Sequence, residues 1–310
     1  MFKMKRSSLR RALSPIAFLI SLVYLYKSID VRELPYVIRE ANYVPLVISL
    51  LLSILTVLLS ALRWYLILRR VQKASFKRTL QAFVSGYYLM AILPPTIGHI
   101  TKVKLVGGDY FLAFSSLLLG IATEVIIILS LGLIFLGFTK LGLFGIGIIL
   151  TGFIYDKAFH KIMLTFFEIL ENIGIKKISK VLKNWWQRGY SGWKKAKEDK
   201  ITFFITFLIS LAVIVFQVFG LIFVGKAFSL NILPKKAFYA FLMSVVFASL
   251  SGVPSGVGVN ELGILIGIGS STKTALTAFL YKFMFQYQYS IIGALVFYKL
   301  LGGWDEDSSS

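Results

Sequence analysis

Two apolar stretches of the chain are each interrupted near the middle by proline and glycine, and charged or polar residues accompany both interruptions. The first stretch reads GYYLMAILPPTIGHITKVK and the second reads VVFASLSGVPSGVGVNELG. A backbone amide left unpaired in lipid costs several kcal/mol, so a helix breaks there only where protein or a water-filled cavity takes up the freed groups. Paired breaks in corresponding positions therefore indicate a transport site built from half-helices.

The chemistry that such a break favours is anion binding. A half-helix N-terminus presents free amides and about half a positive charge, and glycine lets a phosphate approach the backbone. These properties suit Gly256 and Gly258, which precede a helix predicted to start near Glu261. The alternative is that proline and glycine only kink tightly packed helices, as small residues often do in membranes. The repetition of the break in an inverted position favours binding.

Charged residues inside apolar runs are a second group of candidates. Glu124 lies about 18 Å into its run and shares one helix face with Ser116 and Gly120. Lys282 lies about 12 Å into the last run, on a stripe that continues with Gln286, Tyr289 and Gly293. An unpaired charge at such depth is expensive, so each is expected to be paired, protonated or in contact with water. For Lys282, snorkelling to the interface is the alternative.

The candidate substrate-binding residues come from both breaks and from these stripes. Lys102 and Lys282 are expected to bind a phosphate, and Glu124 and Glu261 to pair with them in the empty state or to contact a cationic headgroup. Arg63, beside an aromatic pair near the end of its run, is interpreted as an interfacial anchor. The full set is Gly98, His99, Lys102, Glu124, Gly256, Gly258, Glu261, Lys282 and Gln286. Within this set, His99 has the simpler alternative of a satisfied hydrogen-bonding group.

The composition defines the class of protein that must position these residues. Hydrophobic residues make up 57% of the 310 residues and the mean hydropathy is +0.79, compared with about 45 to 50% apolar residues in soluble domains. The net charge of +20 comes from Lys and Arg between the apolar runs, which is typical of cytoplasmic loops and excludes a nucleic-acid partner. The chain has no cysteine and two isolated histidines, so no metal or other cofactor is expected. Common catalytic motifs are missing, which favours a transporter-like protein over an enzyme.

The charge pattern predicts a topology. The fold is expected to be all-α and polytopic, a single transmembrane domain over 1–310 with about six spanning helices and two broken re-entrant hairpins in an inverted repeat. The predicted spans are 13–29, 43–68, 111–138, 141–155, 201–224 and 274–301. The protein is expected in the cytoplasmic membrane, with both termini on the cytoplasmic side. If each hairpin instead spans fully as two short helices, the orientation of the termini is unchanged.

Three regions are distinguished within this domain. The first repeat core is predicted at 80–138 and the second at 201–301. Between them, 156–200 is rich in lysine and tryptophan, which predicts basic amphipathic helices on an anionic inner leaflet. A solvated charged linker fits the composition of 156–200 equally well.

The motifs resemble those of the flippase-like family typified by the membrane region of lysylphosphatidylglycerol synthase. GVPSGVGVNELG resembles the family signature Pro-Gly-Gly-Leu-Gly-Val-x-Glu, with Ser255 in place of a glycine and with matches at Pro254, Gly256, Gly258, Val259 and Glu261. PPTIGHITK is similar to Pro-x-x-x-Gly-Glu-x-x-Arg, with Pro94 and Gly98 kept and with His99 and Lys102 at the charged positions. Glu124 matches the glutamate of a Glu-Arg pair in which Val125 replaces arginine, and Lys282 stands where arginine is usual.

The resemblance implies a function. Family members are implicated in moving aminoacylated phospholipids or lipid-linked sugars between leaflets. The chain is therefore expected to be a lipid translocase for an anionic phospholipid or a lipid-linked sugar phosphate, with membrane lipids as partners and with a homo-oligomer or a partner transferase as further expectations. The alternatives are a membrane glycosyl or aminoacyl transferase, or its accessory subunit, and a scaffold without transport.

Overall fold

The chain is helical throughout the part that the structure describes. The computed structural model describes residues 6–30, 32–93, 95–154, 156–172 and 199–307, together with positions 179, 180, 183, 184, 186, 187, 190 and 194. No strand occurs among these residues. Three helices are long and apolar enough to cross a membrane, namely Tyr43–Val71, Tyr110–Phe135 and Ile201–Ala227. The all-helical membrane fold is thus confirmed, and the number of crossings stays a prediction.

The described helices are joined by short connections except between 172 and 200, where most residues lie outside the described part of the chain. In chain order they are α1 (Arg6–Ser28), α2 (Leu34–Arg39), α3 (Tyr43–Val71), α4 (Phe76–Ile92), α5 (Pro95–Val106), α6 (Tyr110–Phe135), α7 (Thr139–Ile154), α8 (Asp156–Asn172), α9 (Lys200–Ala227), α10 (Pro234–Ser251), α11 (Val259–Ile268), α12 (Thr272–Lys282) and α13 (Gln288–Asp307). A 3-10 turn (Pro254–Gly256) precedes α11, and a π turn (Phe283–Tyr287) joins α12 to α13.

The first predicted break separates two antiparallel helices. α4 has 17 residues and α5 has 12, or about 26 and 18 Å, and both are shorter than the hydrocarbon core of about 30 Å. A Cβ added to Gly98 would lie 2.9 Å from the Met90 backbone nitrogen, and one added to Gly86 would lie 2.6 Å from Cδ of Lys102. Glycine therefore allows the two arms of this hairpin to approach closely.

The second predicted break also separates two antiparallel helices, α10 and α11. Gly263 and Gly267 lie one turn apart on α11, and a Cβ on either would collide with the backbone of Ser244 or Ala240 on α10, at 2.5 and 2.3 Å. This is the small-residue packing that lets membrane helices touch without a hydrophobic driving force. Gly263 and Gly267, which follow the break, therefore allow the two arms of this hairpin to pack closely.

The described chain separates into two compact units. Unit 1 comprises Met1–Leu58, Gln81–Lys102 and Val213–Ser310, and unit 2 comprises Leu59–Leu80 and Val103–Ala212. The second hairpin, the last helix and residues 81–102 of the first hairpin belong to unit 1. In unit 1, α1 packs against α11, and the Asp30 amide donates to Thr272 Oγ1 at 3.0 Å.

Unit 2 is built around α6 and α7. Asp109 caps α6 by accepting from the Phe111 and Leu112 amides at 2.8 and 3.0 Å. α7 packs against α6 through Gly145, where a Cβ would lie 2.3 Å from Ser130 Oγ. Of the predicted basic segment, helix α8 is described, whereas most of 173–198 lies outside the described residues.

Candidate functional site

The break in the second hairpin is a turn with positive φ at three positions just before α11. Ser255 has φ 51°, Gly256 has φ 62° and Gly258 has φ 80°. Glycine adopts this left-handed region without penalty, whereas a residue with a side chain does so at a cost of about 1 to 2 kcal/mol. The position where Ser255 replaces the family glycine is therefore one that requires a left-handed backbone.

The amides expected to bind phosphate are already occupied. The Gly256 amide donates to the Val253 carbonyl at 2.9 Å, and the Gly258 amide donates to Glu261 Oε2 at 2.9 Å. Glu261 is buried, with 3% of its surface exposed. Its carboxylate thus folds back over the N-terminus of α11, where the helix dipole favours a negative charge. The prediction that Gly256 and Gly258 present free amides is wrong for this conformation, because the protein supplies its own acceptors.

The last helix reaches this break through the π turn. Gln286 Nε2 donates to the Ser255 carbonyl at 2.6 Å, and Asn260 Nδ2 donates to the same carbonyl at 2.8 Å. The Tyr287 hydroxyl donates to Glu261 Oε1. π turns within α-helices are frequent at functional sites. Here the π turn lets two adjacent side chains, Gln286 and Tyr287, both bond to the break.

Lys282 ends α12 immediately before the π turn. Only 8% of its surface is exposed, so the alternative of snorkelling is not what the structure shows. Its Nζ lies 5.6 Å from the Tyr281 ring centroid, and its charge interacts with Glu261. Within the described part of the chain, no side chain or carbonyl accepts a hydrogen bond from Lys282, and no carboxylate forms an ion pair with it. Within those residues, Lys282 is therefore a buried side chain whose ammonium lacks a direct acceptor.

The remainder of the predicted stripe on the last helix contacts other elements of unit 1. Tyr289 shares a hydrogen bond of 3.0 Å with Ser53 Oγ on α3 and lies 5.5 Å from Tyr87 on α4, measured between ring centroids. Gly293 faces the Val84 carbonyl, which a Cβ would approach to 2.4 Å. α13 therefore packs along the first hairpin, while the π turn that precedes α13 bonds to the second.

The candidates of the first hairpin are involved in its own packing. Lys102 is buried, with 3% exposed, and its Nζ lies 4.8 Å above the Phe83 ring. Gly98 packs against Met90. Pro94 and the side chain of His99 lie outside the described residues, and the backbone of His99 belongs to α5.

Glu124 lies in unit 2 and has a different partner from the one expected. Its Oε2 forms an ion pair of 2.7 Å with Arg63 Nη2, and Arg63 Nη1 donates to Ser210 Oγ at 2.9 Å. The predicted face is confirmed, because Ser116 Oγ accepts from Trp64 Nε1 at 3.0 Å and Gly120 lies against Arg63. The expected lysine partner is wrong. The interpretation of Arg63 as an interfacial anchor is also wrong, since only 6% of Arg63 is exposed.

The structure brings five of the nine candidates to one place. Gly256, Gly258, Glu261, Lys282 and Gln286 meet at the second break. We call this set the α11 cluster, together with three residues that were not among the candidates, Ser255, Asn260 and Tyr287. Asn260 lies beside Glu261 in the motif and was detectable from that. Tyr287 was not, because its approach to Glu261 depends on the π turn. In the described residues, no group of His, Asp and Glu side chains has the arrangement of a metal site.

The fold and the α11 cluster are those of an integral membrane protein with a polar break inside apolar helices. The family model described as lysylphosphatidylglycerol synthase TM region matches residues 13–293. The chain belongs to this family, as the motifs predicted, and the family implies a function related to membrane lipids. No curated protein gives a significant match to the chain.

Proposed function

We propose that the protein is a lipid translocase that binds the phosphate of an anionic phospholipid or of a lipid-linked sugar at the α11 cluster and moves the lipid between leaflets. The observation that carries this proposal is Lys282, whose ammonium is buried beside a broken helix without a direct acceptor among the described residues. A buried charge that lacks a partner is expensive. A phosphate oxygen would form a short, charge-assisted hydrogen bond with the Lys282 ammonium.

The surroundings of the break favour a lipid over a soluble anion. Apolar side chains near the break are exposed at the protein surface, with Leu250 81%, Phe279 56%, Val257 40% and Phe283 39% exposed. In a membrane protein such surfaces contact acyl chains. A ligand with a phosphate and acyl chains matches both the buried ammonium and this apolar rim.

The roles of the remaining candidates follow from their places. Gln286, Gly256 and Gly258 would shape the site around the phosphate, and Glu261 would be its internal counter-charge. Lys102, Gly98 and His99 of the first hairpin would contact the headgroup from the other side of the membrane. Glu124 would take part only by exchanging its bond to Arg63, which makes it the weakest of the proposed ligands.

The proposed topology has six spanning helices and two re-entrant hairpins in an inverted repeat. Both termini lie on the cytoplasmic side of the membrane. The chain has no cysteine, so single cysteines can be labelled without a background. We expect Lys180→Cys and Asn231→Cys to react with an impermeant maleimide from opposite sides of the membrane. Labelling of both from the outside would contradict the inverted repeat.

Reconstitution separates a translocase from a transferase. Purified protein in phosphatidylcholine vesicles should change the accessibility of fluorescently labelled phosphatidylglycerol, or of a polyprenyl phosphate, to an external quencher without any nucleotide or sugar donor. Vesicles with heat-inactivated protein provide the control. If activity requires a donor and yields a new covalent lipid product, the protein is a transferase instead. Native mass spectrometry of the same preparation would identify co-purifying lipids, a partner transferase or a homo-oligomer.

A further inference from the structure

Glu261 occupies the place that an anionic ligand would take. Its Oε2 accepts from the Gly258 amide at 2.9 Å, its Oε1 accepts from the Tyr287 hydroxyl, and Lys282 lies within electrostatic range. These are the kinds of donor that recognise a phosphate, namely a backbone amide at a helix N-terminus, a hydroxyl and an ammonium. The carboxylate has therefore satisfied the donors that a lipid phosphate would need.

The remaining donors of the cluster show that the site is not fully satisfied from within. Ser255 Oγ is buried, with 9% of the residue exposed, and it has no hydrogen-bond partner among the described residues. Lys282 likewise lacks a direct acceptor in that part of the chain. Both groups lie in or beside the turn that Glu261 covers. Glu261 thus accepts from two donors and leaves Ser255 Oγ and the Lys282 ammonium without a direct partner within the described chain, whereas a phosphate has more acceptor atoms.

We propose that Glu261 is an internal anion that holds the α11 cluster closed in the empty protein and is displaced when the phosphate of the lipid binds. This inference rests on the proposed function and adds a residue that weakens ligand binding. A carboxylate and a phosphate repel each other and compete for the Gly258 amide and the Tyr287 hydroxyl. Displacement lets the phosphate meet these donors together with Lys282 and Ser255. The ligand class is a phosphate monoester or diester joined to acyl or prenyl chains.

The test is the affinity for dihexanoyl phosphatidylglycerol, measured by isothermal titration calorimetry on the full chain in a non-ionic detergent. Glu261→Gln keeps the shape of the side chain but removes the competing charge, so the variant should bind this lipid about tenfold more tightly than the wild type. Damage to the fold would weaken binding, so tighter binding cannot arise from damage. Glu40→Gln makes the same chemical change at an exposed acid of unit 1 and should leave the affinity unchanged.

A second variant keeps the proposal falsifiable if Glu261→Gln does not fold. Glu261→Ala removes the carboxylate with its charge and both acceptor oxygens and leaves every proposed donor to the phosphate in place, so affinity should again rise. Unchanged or weaker binding by the folded variants would overturn the displacement and leave the proposed function standing, provided that the wild type binds the lipid. No binding by the wild type or by any variant would overturn the proposed function and the displacement together.

Discussion

Two buried charge clusters, one in each unit, are built on opposite plans. In unit 2 the guanidinium of Arg63 forms an ion pair with Glu124 at 2.7 Å and donates to Ser210 at 2.9 Å. In unit 1 the charge of Lys282 has no direct acceptor within the described residues, although it is 8% exposed and thus almost as buried as Arg63. Similar burial therefore accompanies two different arrangements. Arg63 and Glu124 form an ion pair, called the closed pair below, whereas Lys282 has no direct acceptor among the described residues and is called the open charge.

The difference separates stabilising charges from charges that can bind a ligand. A buried pair offsets its own desolvation through mutual attraction, and loss of one partner leaves an uncompensated charge. An open buried charge destabilises the empty protein, and a ligand of opposite charge relieves that cost. Depth in the membrane alone does not distinguish these two cases, because both residues lie within apolar helices.

The largest expected effect is on the closed pair. Arg63→Met should lower the free energy of unfolding by about 3 kcal/mol, because it leaves the Glu124 carboxylate without its partner. The double variant Arg63→Met with Glu124→Gln should recover most of this loss, since it removes both charges. Thermal unfolding of both variants in detergent measures the effect. Equal destabilisation in the single and double variants would show that the two residues do not act as a pair. The lipid affinity of the double variant also tests whether Glu124 binds the lipid. A large loss of affinity would support that role.

The next effect concerns the open charge and should appear in binding rather than in stability. Lys282→Gln should weaken the binding of phosphatidylglycerol by about one to two powers of ten, the value of a charge-assisted hydrogen bond. Its thermal stability should not fall, because Lys282 has no hydrogen bond to lose among the described residues and the substitution removes a buried charge. Lys299→Gln, at an exposed lysine of α13, controls for non-specific attraction of anionic lipid. Unchanged affinity together with reduced stability would assign Lys282 to packing and remove the contrast between the clusters.

A smaller effect is expected at the turn of the α11 cluster that contains Ser255. Ser255→Gly should raise the free energy of unfolding by about 1 to 2 kcal/mol, because it removes a left-handed serine and a buried hydroxyl without a partner in the described chain. Ser229→Gly is the matched control, since Ser229 also has a positive φ, at 59°, but is exposed. The control should gain less, because the exposed Ser229 hydroxyl is hydrated in the folded protein, whereas the flexibility that glycine adds to the unfolded chain is the same at both sites. Equal gains at both sites would mean that the buried hydroxyl of Ser255 has no energetic effect.

The smallest effect concerns Asp199, which lies directly before α9 in unit 2. Hydrogen bonds from the Thr202 amide and hydroxyl, followed by the charge of Arg70, lower the pKa of Asp199 below 3.8, while burial opposes this. A carboxyl whose pKa is lowered by folding contributes stability above its ordinary pKa and loses that contribution as pH falls through the lowered value. The difference in melting temperature between the wild type and Asp199→Asn should therefore be constant above pH 3.8 and shrink below it. A constant difference down to the lowest measurable pH would contradict the lowered pKa.

Much of the fold and part of the site followed from residue patterns. The long apolar runs predicted helices α3, α6 and α9, and the Pro-Gly interruptions predicted where the hairpins turn, because lipid forces backbone groups to pair within a segment. The i, i+4 spacing of Ser116, Gly120 and Glu124 predicted their common face. The partner of Glu124 was missed because every lysine and arginine in an apolar run was a possible partner, and only helix packing selects one of them.

By itself, the sequence determined the class of the protein, its family and the positions of both breaks, since these depend on composition and local chain geometry. The tertiary structure alone decided which charges are closed and which is open, because pairing depends on distances between helices far apart in the chain. It also decided that Glu261 covers the amides of its own helix and that the π turn brings Gln286 and Tyr287 to it. A one-residue widening of a helix changes which side chains face a neighbour, and no spacing rule for a regular helix anticipates that change.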